Sequence, residues 1–280
     1  MAKQAPVYDL LLSVTPSQLD VLEPALLNLW EFGPDALDPV SPAMLRQWVL
    51  HGELAVALTL KPDAPTLSIH EALEHAIDIG QPCDDVEALG TCRMVCLHGD
   101  ALRMRSFLLD HGCPPSVFSS TNASSDSFVS HGRFHMDSQS FEPSTESSVH
   151  PVDLHHDVIT YASTAFVHKS ARGLGVHEKL SLTKSLSFMP LFKRTVQRGH
   201  TCYCFFVTSD HDAGAKIALA HMKASAAFVA SVGAKLTGQA IKSINVTHWQ
   251  TWDPVMHIHT RAYLVSMDDA GWRPVHSAAA

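Results

Sequence analysis

A glycine-rich turn between a β-rich run and a helical pattern constrains the fold of this chain more than any other segment. Val158–Val167 is rich in β-branched and aromatic residues, which predicts a strand. The stretch from Val176 to about Arg198 has helical spacing, and Gly199 follows it as a C-terminal stop. Pro190 lacks a backbone N–H group, so we expect it to kink or divide the helix. The segment therefore predicts a strand, a short turn and a helix in direct succession.

The predicted turn has the chemistry of an anion site. The first N–H groups of a helix have no partner within the helix, and the positive end of the helix dipole lies there. Gly173 and Gly175 would let a pyrophosphate approach the backbone closely. Arg172 and Lys169 would add positive charge, and a guanidinium can bind phosphate through two hydrogen bonds.

The charge distribution agrees with a compact anionic ligand. The net charge is −8, and residues 1–100 hold fifteen acidic against four basic residues. The window from His168 to Gly199 instead holds seven basic residues and one acid, Glu178. Extended nucleic acid would need a longer basic surface, so we expect no nucleic-acid partner. A solvated helix face would explain the basic window equally well.

The turn resembles the acyl-coenzyme A signature of the GNAT acyltransferase superfamily, Q/R-x-x-G-x-G/A. Arg172 takes the Gln/Arg position and Gly175 the central glycine, whereas His177 stands where the family has Gly or Ala. Lys169 stands where a proline is common. The resemblance covers about fourteen residues, and the order of elements over 153–265 and over 7–60 is also that of the family.

The resemblance implies the roles of the turn residues. In the family, amides of this turn hold the CoA pyrophosphate, and the preceding strand pairs with the pantetheine arm. These roles would fall to the turn and to the end of the strand: Phe166, Val167, Lys169, Arg172, Gly173, Leu174, Gly175, Val176 and His177. Acetyl-CoA or another acyl-CoA would be the co-substrate, and acyl transfer would occur by direct attack of an amine.

The resemblance also implies an α+β fold, with a mixed, mainly antiparallel sheet flanked by helices and a large insertion. Residues 1–60 would form the N-terminal part of that fold, and 151–270 the acyl-CoA-binding core. Residues 61–150 would be the insertion, with a serine-rich loop at 116–150, and 271–280 would be a tail. Within the insertion, the spacing over Ile69–Ile79 predicts a helix, and Cys92–Leu97 predicts a strand. Few apolar residues anchor the loop, so we expect it to be exposed and poorly ordered.

The family pattern leaves the catalytic base open. Many members have a tyrosine four residues before a glycine, but counting back from Gly233 gives Val229. An attacking ammonium must still lose a proton. The candidates are polar residues at the start of one predicted strand and the end of the next: His155, His156, Asp157, Asp210 and His211. Each could equally be a surface polar residue.

Metal and thiol chemistry have weaker support. His155, His156 and Asp157 could be combined with His257 and His259, but the spacing matches no recognised ligand pattern, so we expect no metal. Cys202 and Cys204 lie in a strand that we expect to be buried, where cysteine usually acts as a small hydrophobic residue.

The composition predicts a cytoplasmic protein without a membrane segment. No apolar run reaches the ~18 residues that cross a bilayer, and the six cysteines are too few for a disulfide scaffold. The acceptor would be a small-molecule or amino-acid amine, and a homodimer is compatible with the sequence. Two other functions remain open: synthesis of an N-acyl amino acid or lactone from a longer acyl donor, and non-catalytic CoA binding by a regulatory protein.

Overall fold

The structure, a computed structural model, describes residues 8–31, 40–65, 68–118, 129–144, 151–209, 230–231, 234, 238, 240–253 and 258–266. The strands in these ranges are β1 (Asp9–Leu11), β2 (Leu54–Leu60), β3 (Val86–Leu97), β4 (Val129–His135), β5 (Ser140–Pro143), β6 (Val158–Val167), β7 (Cys202–Ser209), β8 (Ser243–Asp253) and β9 (Ile258–Ser266). The α-helices are α1 (Pro16–Glu31), α2 (Pro42–Leu50), α3 (Ile69–Ile79), α4 (Ala101–Asp110), α5 (Val176–Ser187) and α6 (Met189–Gln197).

The fold is α+β, as predicted, and most strand pairs are antiparallel. β1–β2, β2–β3, β4–β5, β4–β8, β7–β9 and β8–β9 pair antiparallel, whereas β6 and β7 pair parallel. The chain divides into two compact units, one formed by 1–95 and 162–187 and the other by 96–161 and 188–280. The division falls within β6, which gives its first four residues to the second unit and its last six to the first.

In the first unit the strand order is β1–β2–β3–β6. Alternate residues of β2 point to opposite faces of this sheet. Leu54, Val56 and Leu58 join a large apolar cluster with residues of α1, α2 and α3. Ala57 instead contributes to a small cluster with Val176 at the start of α5. The sheet is therefore covered on both faces, and α5 lies on the face opposite the first three helices.

The helices of this unit begin and end where the sequence provides caps. Ser41 and Ser68 accept hydrogen bonds from backbone N–H groups in the first turns of α2 and α3. Gly80 ends α3 in the left-handed region, at φ 63°. The predicted helix over 69–79 is confirmed at both ends, because a Ser cap and a left-handed Gly are local signals.

In the second unit the strand order is β6–β7–β9–β8–β4–β5. Its largest fully buried side chains include Phe134, Phe192, Phe205 and Trp249. The predicted division of the long helix at Pro190 is confirmed: α5 ends at Ser187 and α6 begins at Met189. Pro190 lies in the first turn of α6, where a missing N–H group breaks no helical hydrogen bond.

Residues 129–143 differ from the exposed loop predicted over 116–150. They form the β4–β5 hairpin, β4 pairs with β8 along its whole length, and Phe134 is buried. A Cβ on Gly132 would lie 2.4 Å from the Glu142 carbonyl oxygen, so a glycine is needed where the two strands approach. The remaining parts of the predicted loop, 119–128 and 145–150, lie outside the described residues.

Part of the segment predicted as an insertion belongs to the core of the first unit. Within 61–95, α3 packs against α1 and β2, and β3 lies between β2 and β6 in the first unit. The predicted strand Cys92–Leu97 is the end of β3. The first part of β3 has no simple strand pattern, because both of its faces are largely buried and Gly90 and Thr91 interrupt its apolar run. The predicted tail at 271–280 lies outside the described residues.

Candidate functional site

A β-bulge on β3 fixes the start of the glycine-rich turn. Ala57 of β2 pairs with Gly90 but Leu58 pairs with Ala88, so Leu89 is left out of the register. The Leu89 carbonyl accepts the His168 N–H at 2.8 Å, directly after the end of β6. A Cβ on Gly90 would lie 3.0 Å from the Phe166 carbonyl oxygen. The bulge and the glycine together bring β3 against the strand end that leads into the turn.

The turn itself is compact and ends at the first residue of α5. His168 caps a short 3-10 turn over Lys169–Ala171, and the Ala171 side chain is buried. Gly173 and Gly175 have φ angles of 79° and 70°, a region that disfavours residues with a Cβ atom. A Cβ at either glycine would meet no atom within 4 Å, so the space above the turn is open.

Several N–H groups of this turn have no backbone partner in the part of the chain that the structure describes. The first helical bond of α5 runs from the Lys179 N–H to the Gly175 carbonyl. The Leu174 N–H donates to the Ala171 carbonyl at 3.3 Å. No hydrogen bond among the described residues uses the N–H groups of five neighbouring residues: Gly173, Gly175, Val176, His177 and Glu178. Since α5 is twelve residues long, its dipole adds a positive potential at the same end.

Positive side chains surround these N–H groups. Lys169 and Arg172 are exposed, and Arg172 donates from Nε to the Val167 carbonyl at 3.3 Å. That bond occupies one nitrogen of the guanidinium and leaves the terminal nitrogens for another acceptor. The Lys179 ammonium lies 4.8 Å from the centre of the Tyr8 ring.

His177, at the position where the family signature has Gly or Ala, turns toward the helix rather than over the glycines. Its Nε2 lies 3.2 Å from the Ser181 hydroxyl, which is buried and donates to the Cys92 sulfur at 3.4 Å. Although much of the His177 side chain is exposed, desolvation at this end lowers the pKa of the imidazole. His177, although larger than Gly or Ala, therefore leaves the space above Gly175 open.

A buried lysine holds α5 in position. The Lys184 ammonium donates to the Leu12 carbonyl at 2.6 Å and to the Gly52 carbonyl at 2.7 Å. Its side chain is 3% exposed. Two carbonyls from separate loops thus fix the helix whose N-terminus forms the turn.

The structure gives Asp157, a predicted base, a structural role. Its carboxylate accepts the Thr201 N–H and the Asp153 N–H, each at 2.8 Å, and the residue is 4% exposed. A carboxylate occupied by two backbone donors is poorly placed to take a proton from a substrate. Burial, partly opposed by these hydrogen bonds, raises the pKa of Asp157.

The neighbouring predicted bases are exposed. His156 Nδ1 lies 2.9 Å from the Asp153 carboxylate, and its ring stacks on His200 with centres 4.7 Å apart. His155 has its ring centre 6.2 Å from that of His156. Asp210 and His211 lie outside the described residues, as do Val229, Gly233 and His257.

An aromatic cluster in the second unit was not identified from the sequence. His111, at the end of α4, packs edge-on against Tyr161 and Phe205, the last paired residues of β6 and β7. His111 Nδ1 lies 2.7 Å from the Phe107 carbonyl, which requires the proton on Nδ1 and leaves Nε2 as an acceptor. No sequence signal marks this histidine, because the contact joins segments far apart in the chain.

The strand cysteines are unsuited to nucleophilic chemistry, as expected. Cys202 and Cys204 are buried, and neither forms a disulfide among the described residues. Burial raises the pKa of Cys204 to about 12, so the thiolate is scarce near neutral pH.

No helix among the described residues is both long and apolar enough to span a membrane.

Comparison with known proteins finds similarity only at the level of structure. No protein-family model matches the sequence, and no curated protein matches it. Among the solved structures that match, one is Arabidopsis thaliana NAA60 in complex with a bisubstrate analogue, at 10% identity and a TM-score of 0.40, covering 93% of this chain and 97% of that one. The same protein in complex with acetyl-CoA matches at 11% identity and a TM-score of 0.36, covering 92% and 97%. At these TM-scores the likeness carries no inference about ligand or reaction.

Proposed function

We propose that this chain is an acyl-CoA-dependent N-acyltransferase of the GNAT type. The observation that carries the proposal is the turn after β6, where five N–H groups have no hydrogen-bond partner among the described residues and lie beside the N-terminus of α5 and the exposed Arg172. A pyrophosphate matches this arrangement because it offers several anionic oxygens to closely spaced donors. The resemblance of residues 172–177 to the acyl-CoA signature supports the same ligand.

The proposed binding mode assigns a role to each part of the segment. The amides of Gly173 and of Gly175 to Glu178 bind the pyrophosphate, and the guanidinium of Arg172 and the ammonium of Lys169 add charge. The backbone of Phe166 and Val167 pairs with the pantetheine arm. The His168 N–H is already bonded to Leu89, so the thioester oxygen must take its donor from another amide of the strand end.

The proposed reaction is direct acyl transfer. The amine nitrogen attacks the thioester carbon, the new C–N bond forms and the C–S bond breaks. The electron pair leaves with the CoA sulfur, and the amine proton passes to a base. Because a thiol has a pKa of about 8.5, the thiolate is a tolerable leaving group without a dedicated acid. This agrees with Val229 standing where many family members have a tyrosine.

The base is proposed among the predicted positions other than Asp157, with one addition from the structure. Asp157 is bound to two backbone N–H groups, which favours the other predicted positions: His155, His156, Asp210 and His211. His111 joins them as a candidate because its Nε2 is left as an acceptor. If alanine at each of these five positions lowers kcat/KM by less than about tenfold, roughly 1.4 kcal/mol, the base lies elsewhere or is a water chain.

Two observations would separate the proposal from its alternatives. Release of CoA thiol from acetyl-CoA in the presence of a panel of amines would identify an enzyme, and calorimetric CoA binding without turnover would identify a non-catalytic binder. Mass spectrometry of the acyl-CoA that co-purifies with the protein would report chain length. A long acyl chain would favour synthesis of an N-acyl amino acid or lactone over acetyl transfer.

A further inference from the structure

Three potential metal ligands meet in the second unit, whereas the glycine-rich turn belongs to the first. Asp153 and His156 lie in the segment before β6, and His200 lies just before β7. One ligand atom from each of these residues lies within 4.8 Å of the other two. Asp153 and His156 are exposed and His200 is half-buried, so the cluster is open to solvent on one side.

The backbone around the cluster holds the two segments together. Asp157 is buried, and its carboxylate joins them by accepting the Asp153 N–H and the Thr201 N–H. The Val158 N–H donates to the Thr201 carbonyl at 3.0 Å, and the His200 N–H donates to the Thr195 carbonyl at 3.1 Å. The residues that bear the three side chains are thereby fixed before any ion binds.

The side chains are also close to the arrangement that an ion needs. His156 Nδ1 and the nearer Asp153 carboxylate oxygen are 2.9 Å apart. Two ligands of a tetrahedral Zn²⁺, each about 2.1 Å from the metal, are separated by about 3.4 Å. The hydrogen bond between the two groups must be exchanged for bonds to the metal, but this requires only a small displacement. The rings of His156 and His200 are stacked with centres 4.7 Å apart, which keeps the third ligand beside the other two. Because an imidazole binds a metal in the plane of its ring, one of the two rings must rotate before both bind the same ion.

We propose that Asp153, His156 and His200 bind a divalent transition-metal ion of the Zn²⁺ class. Two imidazoles and one carboxylate are a ligand set that such ions accept, whereas Mg²⁺ and Ca²⁺ prefer oxygen ligands. The protein supplies three ligands, and water completes the coordination at the exposed side. The ion ties the segment before β6 to the residue before β7, so it stabilises the native state. The expected absence of a metal is thereby revised for this part of the chain. A metal-bound His156 has no nitrogen left to accept a proton, so the metal site would remove it from the candidate bases.

The test uses the full chain without an affinity tag, stripped with a chelator and then titrated with Zn²⁺ in a calorimeter. We expect one site per chain, and Co²⁺ in its place should give the visible absorption of a four-coordinate ion. His156→Ala and His200→Ala should each weaken binding by at least tenfold. His155→Ala is the matched control, because it removes the adjacent exposed histidine, and it should bind as tightly as the wild type.

Two results would overturn the proposal. One is wild-type affinity and stoichiometry in both His156→Ala and His200→Ala, which would place binding at other histidines of the nineteen in the chain. The other is the absence of any one-to-one binding by the stripped wild type. The ligand side chains are largely exposed, so each variant should keep its Tm in chelator, and Asp153→Asn provides a third variant should either histidine variant fail to fold.

Discussion

At the scale of single residues, Gly175 links backbone conformation to the proposed CoA site. Its φ angle of 70° lies in the left-handed region, and the space that a Cβ would occupy is open. A side chain there projects into the volume from which a pyrophosphate would approach the amides. A substitution at Gly175 therefore obstructs access of a ligand to the turn without pressing on packed neighbours.

Gly175→Val should weaken CoA binding by at least tenfold, and Arg172→Ala should weaken it by several-fold through lost charge. The left-handed conformation costs a branched residue about 1–2 kcal/mol, so Gly175→Val should also lower stability modestly. Gly80→Val is the matched control, since Gly80 has a φ of 63° and open space around it but follows the end of α3 rather than lying in the turn. Calorimetry with CoA measures the affinity. If both turn variants bind CoA as tightly as the wild type, the pyrophosphate does not bind at this turn.

The Lys184 side chain is buried, which the charge pattern of the sequence does not indicate. The sequence places it among seven basic residues that would suit a ligand, but its ammonium is buried against the Leu12 and Gly52 carbonyls. Lys184→Met should destabilise the protein by about 2 kcal/mol or more, because the charged hydrogen bonds are lost and the carbonyls lose their donor. Urea unfolding measures the change, with the exposed Lys193→Met as control. Equal stability of the two variants would contradict this role.

At the scale of elements, the sequence predicts the features that depend on neighbouring residues and misses those that depend on contacts between distant parts of the chain. The α3 helix, the division at Pro190 and the turn after β6 depend on caps, proline and glycine, which act within a few residues. The β4–β5 hairpin depends on pairing with β8, more than a hundred residues away in the chain, and its polar alternation resembled a loop. The Asp153–His200 contact escaped prediction for the same reason.

The hairpin gives a pH-dependent prediction. His131 on β4 is half-buried, its Nδ1 lies 3.0 Å from the Thr247 hydroxyl on β8, and desolvation lowers the pKa of its imidazole. The unfolded chain, with a histidine pKa of about 6.5, therefore takes up a proton more readily than the folded one. This contribution to stability is lost as pH falls from about 6.5 through the lower folded pKa.

His131→Gln should reduce that loss, since the amide can still bond to Thr247 but does not titrate. Urea unfolding free energies at pH 7.5 and 5.5 measure the difference for the variant and the wild type. His75→Gln, on the exposed side of α3, controls for the substitution itself. An identical pH dependence in His131→Gln and the wild type would contradict the assignment.

At the scale of the whole molecule, ligand binding should increase the stability of the native state. A ligand that binds only the native state adds RT ln(1 + [L]/Kd), about 2.7 kcal/mol at a hundredfold excess over Kd. CoA and acetyl-CoA should therefore both raise the Tm of the wild type, because the proposed pyrophosphate site is common to the two. The rise should be much smaller in Gly175→Val than in Gly80→Val, which has the same backbone strain at another glycine. Zn²⁺ should raise the Tm of both glycine variants equally, since the proposed metal ligands lie in the other unit of the chain. Millimolar CoA that produces neither a thermal shift nor a calorimetric heat would exclude the proposed CoA site, whatever the outcome for the metal.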